Sequence, residues 1–237
     1  MTMDRYTIYA PLTLGKREFC IPNPNEACPG CGIALALRHI YKAVGLPQEL
    51  KAKWRFPEKS KNGRGALLTL SKGRGGDESP IEMLIDNEAD LALTSLALKP
   101  EPAAKVAEGY AYVATACSSY PFDLIEKVKR AQKAKGPAFI QVLTPCPVEW
   151  GFSPDLTVKI GLWAVESRLF PLYDAAKDAY RITVNTLSPR PITDYIKAQE
   201  RFKGLSESEI EKLGNNVKEA YRRLAELSQR SEAEVNL

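Results

Sequence analysis

Residues 27–45 read ACPGCGIALALRHIYKAVG, and they put Cys28 and Cys31 just ahead of a helix-like run. Two cysteines at this spacing support three chemistries. They can form a redox dithiol, since a helix N-terminus favours the thiolate. They can form half of a structural zinc site, or half of an iron–sulfur site, which takes four thiolates. No second C-x-x-C occurs; Cys20, Cys117 and Cys146 stand singly. Cys146 lies in LTPCPVEWGF between two prolines, a stiff turn that suits a ligand better than a core residue. Cys117 closes the apolar run AYVATA, where a buried, inert thiol is the plainer reading. The single histidine, His39, falls inside the helix after the cysteine pair. There it reads as a packed or surface residue rather than a proton-transfer group. No Ser/His/Asp arrangement is present to suggest nucleophilic catalysis, and no catalytic residue is assigned.

The elements around these residues follow from apolar spacing and from proline and glycine. Residues 1–26 form an arm; IPNPNEA within it excludes a helix. Ile33–Val44 reads as a largely buried helix ended by Gly45 and Pro47. Residues 66–70 (ALLTL) and 81–85 (IEMLI) read as strands, with KGRGGDESP as turn material between them. A helix is expected over 100–108, a strand over 111–116 and a helix from Tyr120 to about Ala134. Pro121 sits in the first turn of that helix, where a missing N–H is tolerated. Gly136 and Pro137 precede a strand over 138–144. Strands alternating with helices point to an α/β fold with a mainly parallel sheet covered by helices. After Cys146 the chain reads as an irregular, proline-rich extension ending in a helix over about 207–229. Ser206 and Glu209 form a capping-box pattern at that helix start. Ile210, Leu213, Val217, Tyr221 and Leu224 make one apolar face along it. The expected division is an arm (1–26), an α/β domain (27–145) and a C-terminal extension with its helix (146–237).

The chain's 237 residues and 44% hydrophobic content suit one large or two small globular domains. Five cysteines, an odd number, argue against a secreted disulfide framework. With no signal-peptide pattern and no membrane-spanning run, the expected location is the cytoplasm. The net charge of +4 is uneven: Lys51, Lys53, Arg55, Lys59, Lys61, Arg64, Lys72 and Arg74 face only Glu49 and Glu58. Such a run could bind phosphates or nucleic acid. The favoured reading is a solvated loop, because Trp54, Trp150 and Trp163 do not interleave with it as a base-stacking surface would require.

Taken in order, ACPGCGIALALRHIYKAVG, IDNEA, YVATACSSYPFDLIEKVKRAQKAKGPAFIQVLTPCPVEWGF, KIGLWAVES and FPLYD resemble the thiamine-diphosphate-binding beta subunit of the 2-oxoacid:ferredoxin oxidoreductases, the pyruvate enzyme above all. The resemblance covers roughly residues 26–46 and 81–205. It implies a thiamine-diphosphate-binding type of fold, here shortened. It also implies one [4Fe–4S] cluster with Cys28, Cys31 and Cys146 as three of its ligands. The family's fourth ligand lies in a segment that is much shorter here, with no cysteine between Cys31 and Cys117. Cys20 or Cys117 would replace it, or another chain would donate the ligand, or the cluster is incomplete.

The resemblance further implies thiamine diphosphate with Mg2+, a cation that takes oxygen ligands and bridges phosphates. Asp77 matches the aspartate of the family's glycine-rich loop, Asn87 a side-chain ligand and Ala89 a backbone-carbonyl ligand. Two departures stand out. Glu78 follows Asp77 where the family has glycine, and only nine residues separate Asp77 from Asn87. A crossover with its own helix needs about a dozen or more connecting residues. The implied activity is the coenzyme A-dependent oxidative decarboxylation of a 2-oxoacid, with electrons passed to ferredoxin. The implied setting is a hetero-oligomer with alpha, gamma and delta-type subunits, the alpha chain supplying the carboxylate that activates the thiamine. A non-catalytic subunit that scaffolds such a complex or carries its electrons is the alternative.

Overall fold

The computed structural model of the chain describes residues 28–44, 52–55, 66–71, 79–86, 109–176 and 179–235. Seven strands form one mixed sheet in the order β1-β2-β3-β5-β4-β6-β7. They are β1 (Ala52–Arg55), β2 (Ala66–Ser71), β3 (Pro80–Asp86), β4 (Tyr112–Cys117), β5 (Ala138–Leu143), β6 (Tyr173–Ala176) and β7 (Ala179–Ile182). The parallel part is the centre: β5 pairs in parallel with β3 on one side and β4 on the other. Antiparallel strands flank it, β1 and β2 beyond β3, β6 and β7 beyond β4. The α/β class expected from the sequence holds.

The three central strands are in step. Ile81, Ala138 and Tyr112 lie level at one end, and Asp86, Leu143 and Cys117 lie level at the other. All three strands therefore finish along one carboxyl edge, the side on which open α/β sheets carry their ligands.

One face of the sheet is covered by α1 (Gly32–Val44) and α2 (Pro121–Lys133), which pack against each other. Alternate strand residues meet them: Ile81, Met83 and Ile85 from β3, Ala138, Ile140 and Val142 from β5, Ala114 and Ala116 from β4. The helices answer with Ala36, Leu37, Ile40 and Tyr41, and with Leu124, Val128 and Ala131 at helical spacing. His39 is half-buried on α1, as a packed residue would be.

The segment after Cys146 is more regular than its prolines suggest. It contains α3 (Pro147–Trp150), a 3₁₀ turn (Pro154–Leu156), α4 (Thr157–Glu166), the strands β6 and β7, and α5 (Ile192–Lys197). It ends in α6 (Glu207–Val235), which begins where the capping pattern places it. There the Ser206 N–H donates to Glu209 Oε2 at 2.8 Å, and the Glu209 N–H donates back to Ser206 Oγ at 3.3 Å. The expected apolar face packs inward: Val217, Tyr221 and Leu224 are buried, and Ile210 and Leu213 border the second core with Trp150, Ile160, Leu172 and Tyr195.

Two polar arrangements tie these pieces together. Lys127, 1% exposed, donates to Thr115 O at 2.7 Å, Asp123 Oδ2 at 2.6 Å and Thr183 Oγ1 at 2.7 Å. All three of its N–H groups are thus used, which is what makes a buried ammonium tolerable. On β7, the Tyr180 N–H donates to Ser231 Oγ at 2.8 Å and the Ile182 N–H to Ser228 Oγ at 3.4 Å. Two serines of α6 thereby serve the outward-facing backbone of the last strand.

Candidate functional site

The cysteine pair and the Cys146 turn, far apart in sequence, meet at the carboxyl edge of the sheet. Cys28-Pro29-Gly30-Cys31 forms a turn closed by the Cys31 N–H donating to Cys28 O at 3.0 Å. Gly30 has φ +70°, a conformation natural to glycine. A Cβ there would lie 2.5 Å from Pro154 O and 2.8 Å from Thr157 Oγ1. The Thr157 hydroxyl donates to the Gly30 carbonyl at 2.7 Å and lies 2.9 Å from the Pro154 carbonyl. Gly32, the first residue of α1, fits as closely on the other side. Its Cβ would overlap Pro145 O and lie 2.9 Å from both Pro145 N and Thr144 C. The C-P-G-C turn is therefore clamped between Thr144–Pro145 and Pro154–Thr157, both stretches following β5.

Cys28 is exposed, and Cys31 and Cys146 are half-buried. Cys146 occupies the N-cap position of α3, with Pro147 at the first helical residue. Burial raises its thiol pKa, and the Glu149 carboxylate and the neighbouring Cys31 add smaller pushes the same way. The backbone N–H groups of Glu149 and Val148 oppose them. Cys146 and Cys31 are thus electrostatic neighbours.

Cys117 is placed differently. It is wholly buried in the second core, and a Cβ on Gly161 of α4 would lie 3.1 Å from its Sγ. Burial pushes its thiol pKa up to about 12, against hydrogen bonds from Ser119 that favour the thiolate. Its surroundings are those of a packed, neutral thiol.

A [4Fe–4S] cluster needs four thiolates about one centre. Among the described residues, no three His, Cys, Asp or Glu side chains converge on a single metal position. The two cysteine-bearing turns are in contact, but the donor set is not complete within them. Cys20 lies outside the described residues, as do Asp77, Asn87 and Ala89. So do the helix expected over 100–108 and much of the basic run, although residues 52–55 and 66–71 of that region are the paired strands β1 and β2. No helix among the described residues is long and apolar enough to cross a membrane.

Sequence reasoning missed Thr157. It is a plain threonine in a stretch that shows no motif, and its role as a buried clamp on the cysteine turn exists only in three dimensions.

No protein-family model matches the chain. Curated relatives do. Pyruvate synthase subunit PorB of Methanocaldococcus jannaschii is 44% identical over 113 residues, which is 48% of this chain and 38% of that protein. Ketoisovalerate oxidoreductase subunit VorB of Pyrococcus furiosus is 38% identical over 126 residues, 52% of this chain and 40% of that one. PorB of Methanothermobacter marburgensis is 40% identical over 119 residues, 50% of this chain and 41% of that one. The chain thus spans about two fifths of the length of the curated relatives it matches. Over about half of its own length, it is a relative of the beta subunits of 2-oxoacid:ferredoxin oxidoreductases.

Proposed function

We propose that this chain serves as the beta-type subunit of a 2-oxoacid:ferredoxin oxidoreductase and works only within a complex of alpha, gamma and delta-type subunits. The complex would decarboxylate a 2-oxoacid of the pyruvate or ketoisovalerate kind, transfer the acyl group to coenzyme A and deliver electrons to ferredoxin. Besides the relatives, one observation supports this reading: the C-P-G-C turn is clamped against the Cys146 turn at the carboxyl edge of the parallel strands. That is the place and the donor chemistry for a soft-metal cluster.

In this reading Cys28, Cys31 and Cys146 are cluster ligands. Cys20 is favoured as the fourth over Cys117, whose thiol is wholly enclosed by the core. The cluster, when bound, supplies single-electron transfer. The chain's own residues set the ligand geometry: Thr157 fixes the Gly30 carbonyl, and Gly32 permits the close approach to Pro145.

The test is anaerobic co-purification with the partner subunits, followed by iron and sulfide analysis. About four irons for each copy of this chain are expected, with most of them lost in Cys31→Ser and Cys146→Ser and retained in Cys117→Ala. Failure to associate with the partners, or iron indifferent to the first two substitutions, would refute the proposal.

A further inference from the structure

We propose that the cavity between the end of α4, α5 and the first half of α6 is a binding site for a small organic anion, a carboxylate or phosphate monoester carried on an apolar body.

The cavity measures about 560 Å3, and small-molecule sites run from about 300 to 1,000 Å3. Its walls divide by chemistry. Pro189, Pro191, Ile192 and Ile210 are apolar, and Arg168, Lys197 and Lys218 are cationic. Arg190 also lines it, but its charge is matched by Glu166 at 2.7 Å and Asp194 at 2.9 Å. Among the described residues, no carboxylate pairs with Arg168, Lys197 or Lys218.

Arg168 is held ready. Its Nη2 donates to Thr186 O at 2.6 Å, and its guanidinium lies over the Tyr221 ring, 4.1 Å from the centroid. The rest of the fork has no acceptor among the described residues. A planar fork fixed on one side is suited to grip a carboxylate or phosphate. Lys218 stands one turn before Tyr221 on α6, on the same face as that ring. Glu207 and Glu211 line the cavity too, but at the start of α6. Glu211 is about 10 Å along the helix from Lys218. An anion is therefore drawn to the Arg168 end.

The backbone points the same way. Arg168 has φ +64°, and it alone among the described non-glycine residues has a positive φ. It follows the last turn of α4, its N–H donating to Val165 O at 2.9 Å. Glycine takes such a position without strain. Strain of this kind gathers at ligand sites, where a side chain must be held in place. Gly214 opens the other wall: a Cβ there would meet nothing nearer than Ile192 Cγ2 at 3.6 Å. The site is separate from the cysteine turn. Thr157, which holds that turn, begins α4, and the ten-residue helix puts about 15 Å between the two.

The full chain is titrated with benzoate and with phenyl phosphate, and benzyl alcohol serves as the uncharged counterpart. Binding is followed by ligand-observed NMR. Trp163 fluorescence gives a local readout, because Arg190 Cζ lies 5.3 Å from its ring centroid. At least one anion is expected to bind, and benzyl alcohol at least about tenfold more weakly, the scale of a hydrogen bond to a charged group. The tighter anion identifies the head group. Asparagine tolerates the left-handed backbone, so Arg168→Asn removes the fork alone and should weaken binding about tenfold or more. Lys218→Gln should weaken it in the same direction, and Gly214→Leu, which fills the cavity, should abolish it. Thermal unfolding confirms that each variant is folded. Lys218 is exposed, so its variant keeps the test decisive if another does not fold. Binding of neither anion, equal affinity for benzyl alcohol, or affinity unchanged in the folded variants would overturn the proposal. The titration needs neither iron nor partner subunits, so it succeeds or fails separately from the reading of the chain as a beta-type subunit.

Discussion

The contact between the cysteine turns makes a sharp prediction at Gly32. In Gly32→Ala the new methyl group would overlap Pro145 O and press on Pro145 N and Thr144 C at 2.9 Å. Ordinary contact begins near 3.4 Å, so the neighbours must retreat by about half an ångström or more. All three are backbone atoms, and none can rotate aside as a side chain would. Alanine in a helix is favoured over glycine by about 0.5–1 kcal/mol, while overpacking costs about 1–3 kcal/mol. Because the obstacle is rigid backbone, the upper part of the second range applies, and the net loss is about 1–2 kcal/mol. In a chain of this size each kcal/mol moves Tm by about 2–4 °C, so a fall of about 2–8 °C is expected. Gly214→Ala provides the contrast. It lies inside α6, where the nearest atom to its Cβ is Ile192 Cγ2 at 3.6 Å. With nothing to displace, alanine there raises Tm by about 1–4 °C. Thermal unfolding followed by circular dichroism reads both variants. If Gly32→Ala melts at or above wild type, the close packing of the two turns is not as described.

Two further perturbations probe the interior. Lys127→Met removes a buried ammonium and strands Asp123 and the Thr115 carbonyl, so a loss of about 3–5 kcal/mol is expected in urea unfolding; a loss below 1 kcal/mol would mean that water reaches those groups. For Cys117 the sign follows from burial: its folded pKa of about 12 lies above the ordinary value of 9.0, so the folded state keeps the proton longer. Its contribution is complete below pH 9 and declines as pH rises from 9 towards 12. The stability gap between wild type and Cys117→Ala should therefore narrow across that window, and a gap that stays constant would contradict the buried, neutral thiol.

Much of the fold is legible in the sequence because its central elements are sharply bounded. The strands β3, β4 and β5 are short apolar runs closed by Asp86, Ser118 and Thr144, and α2 begins at a proline and ends before Gly136. What escaped is held by tertiary contact rather than by local preference. Residues 173–176 read YDAA, a poor strand by composition. They become β6 through pairing with β4, and Asp174 is held by Arg181 and by the Tyr112 hydroxyl. The helix α4 was hidden by Gly161, whose missing side chain lets the helix pass over Ser119 and Cys117. At the candidate site the donor types were legible and the spacing of Cys28 and Cys31 was suggestive. The meeting with Cys146 is implied only by the family resemblance; local pattern does not show it, because it depends on the start of α1 packing at the end of β5. The pairing of β2 with β3 is half legible: the turn-rich KGRGGDESP marks a break between two strands, but only the structure shows that they pair antiparallel.

The serines of α6 that serve β7 also impose an order in time. Tyr180 waits for a partner 51 residues further along the chain, and Ile182 for one 46 residues further. During synthesis, therefore, β7 can pair with β6 while its outer N–H groups still face water or any neighbouring strand. Such an edge is a template for association between nascent chains. The closing turns of α6 act as a late stopper: once Ser228 and Ser231 leave the ribosome and dock, the sheet can no longer be extended from that side.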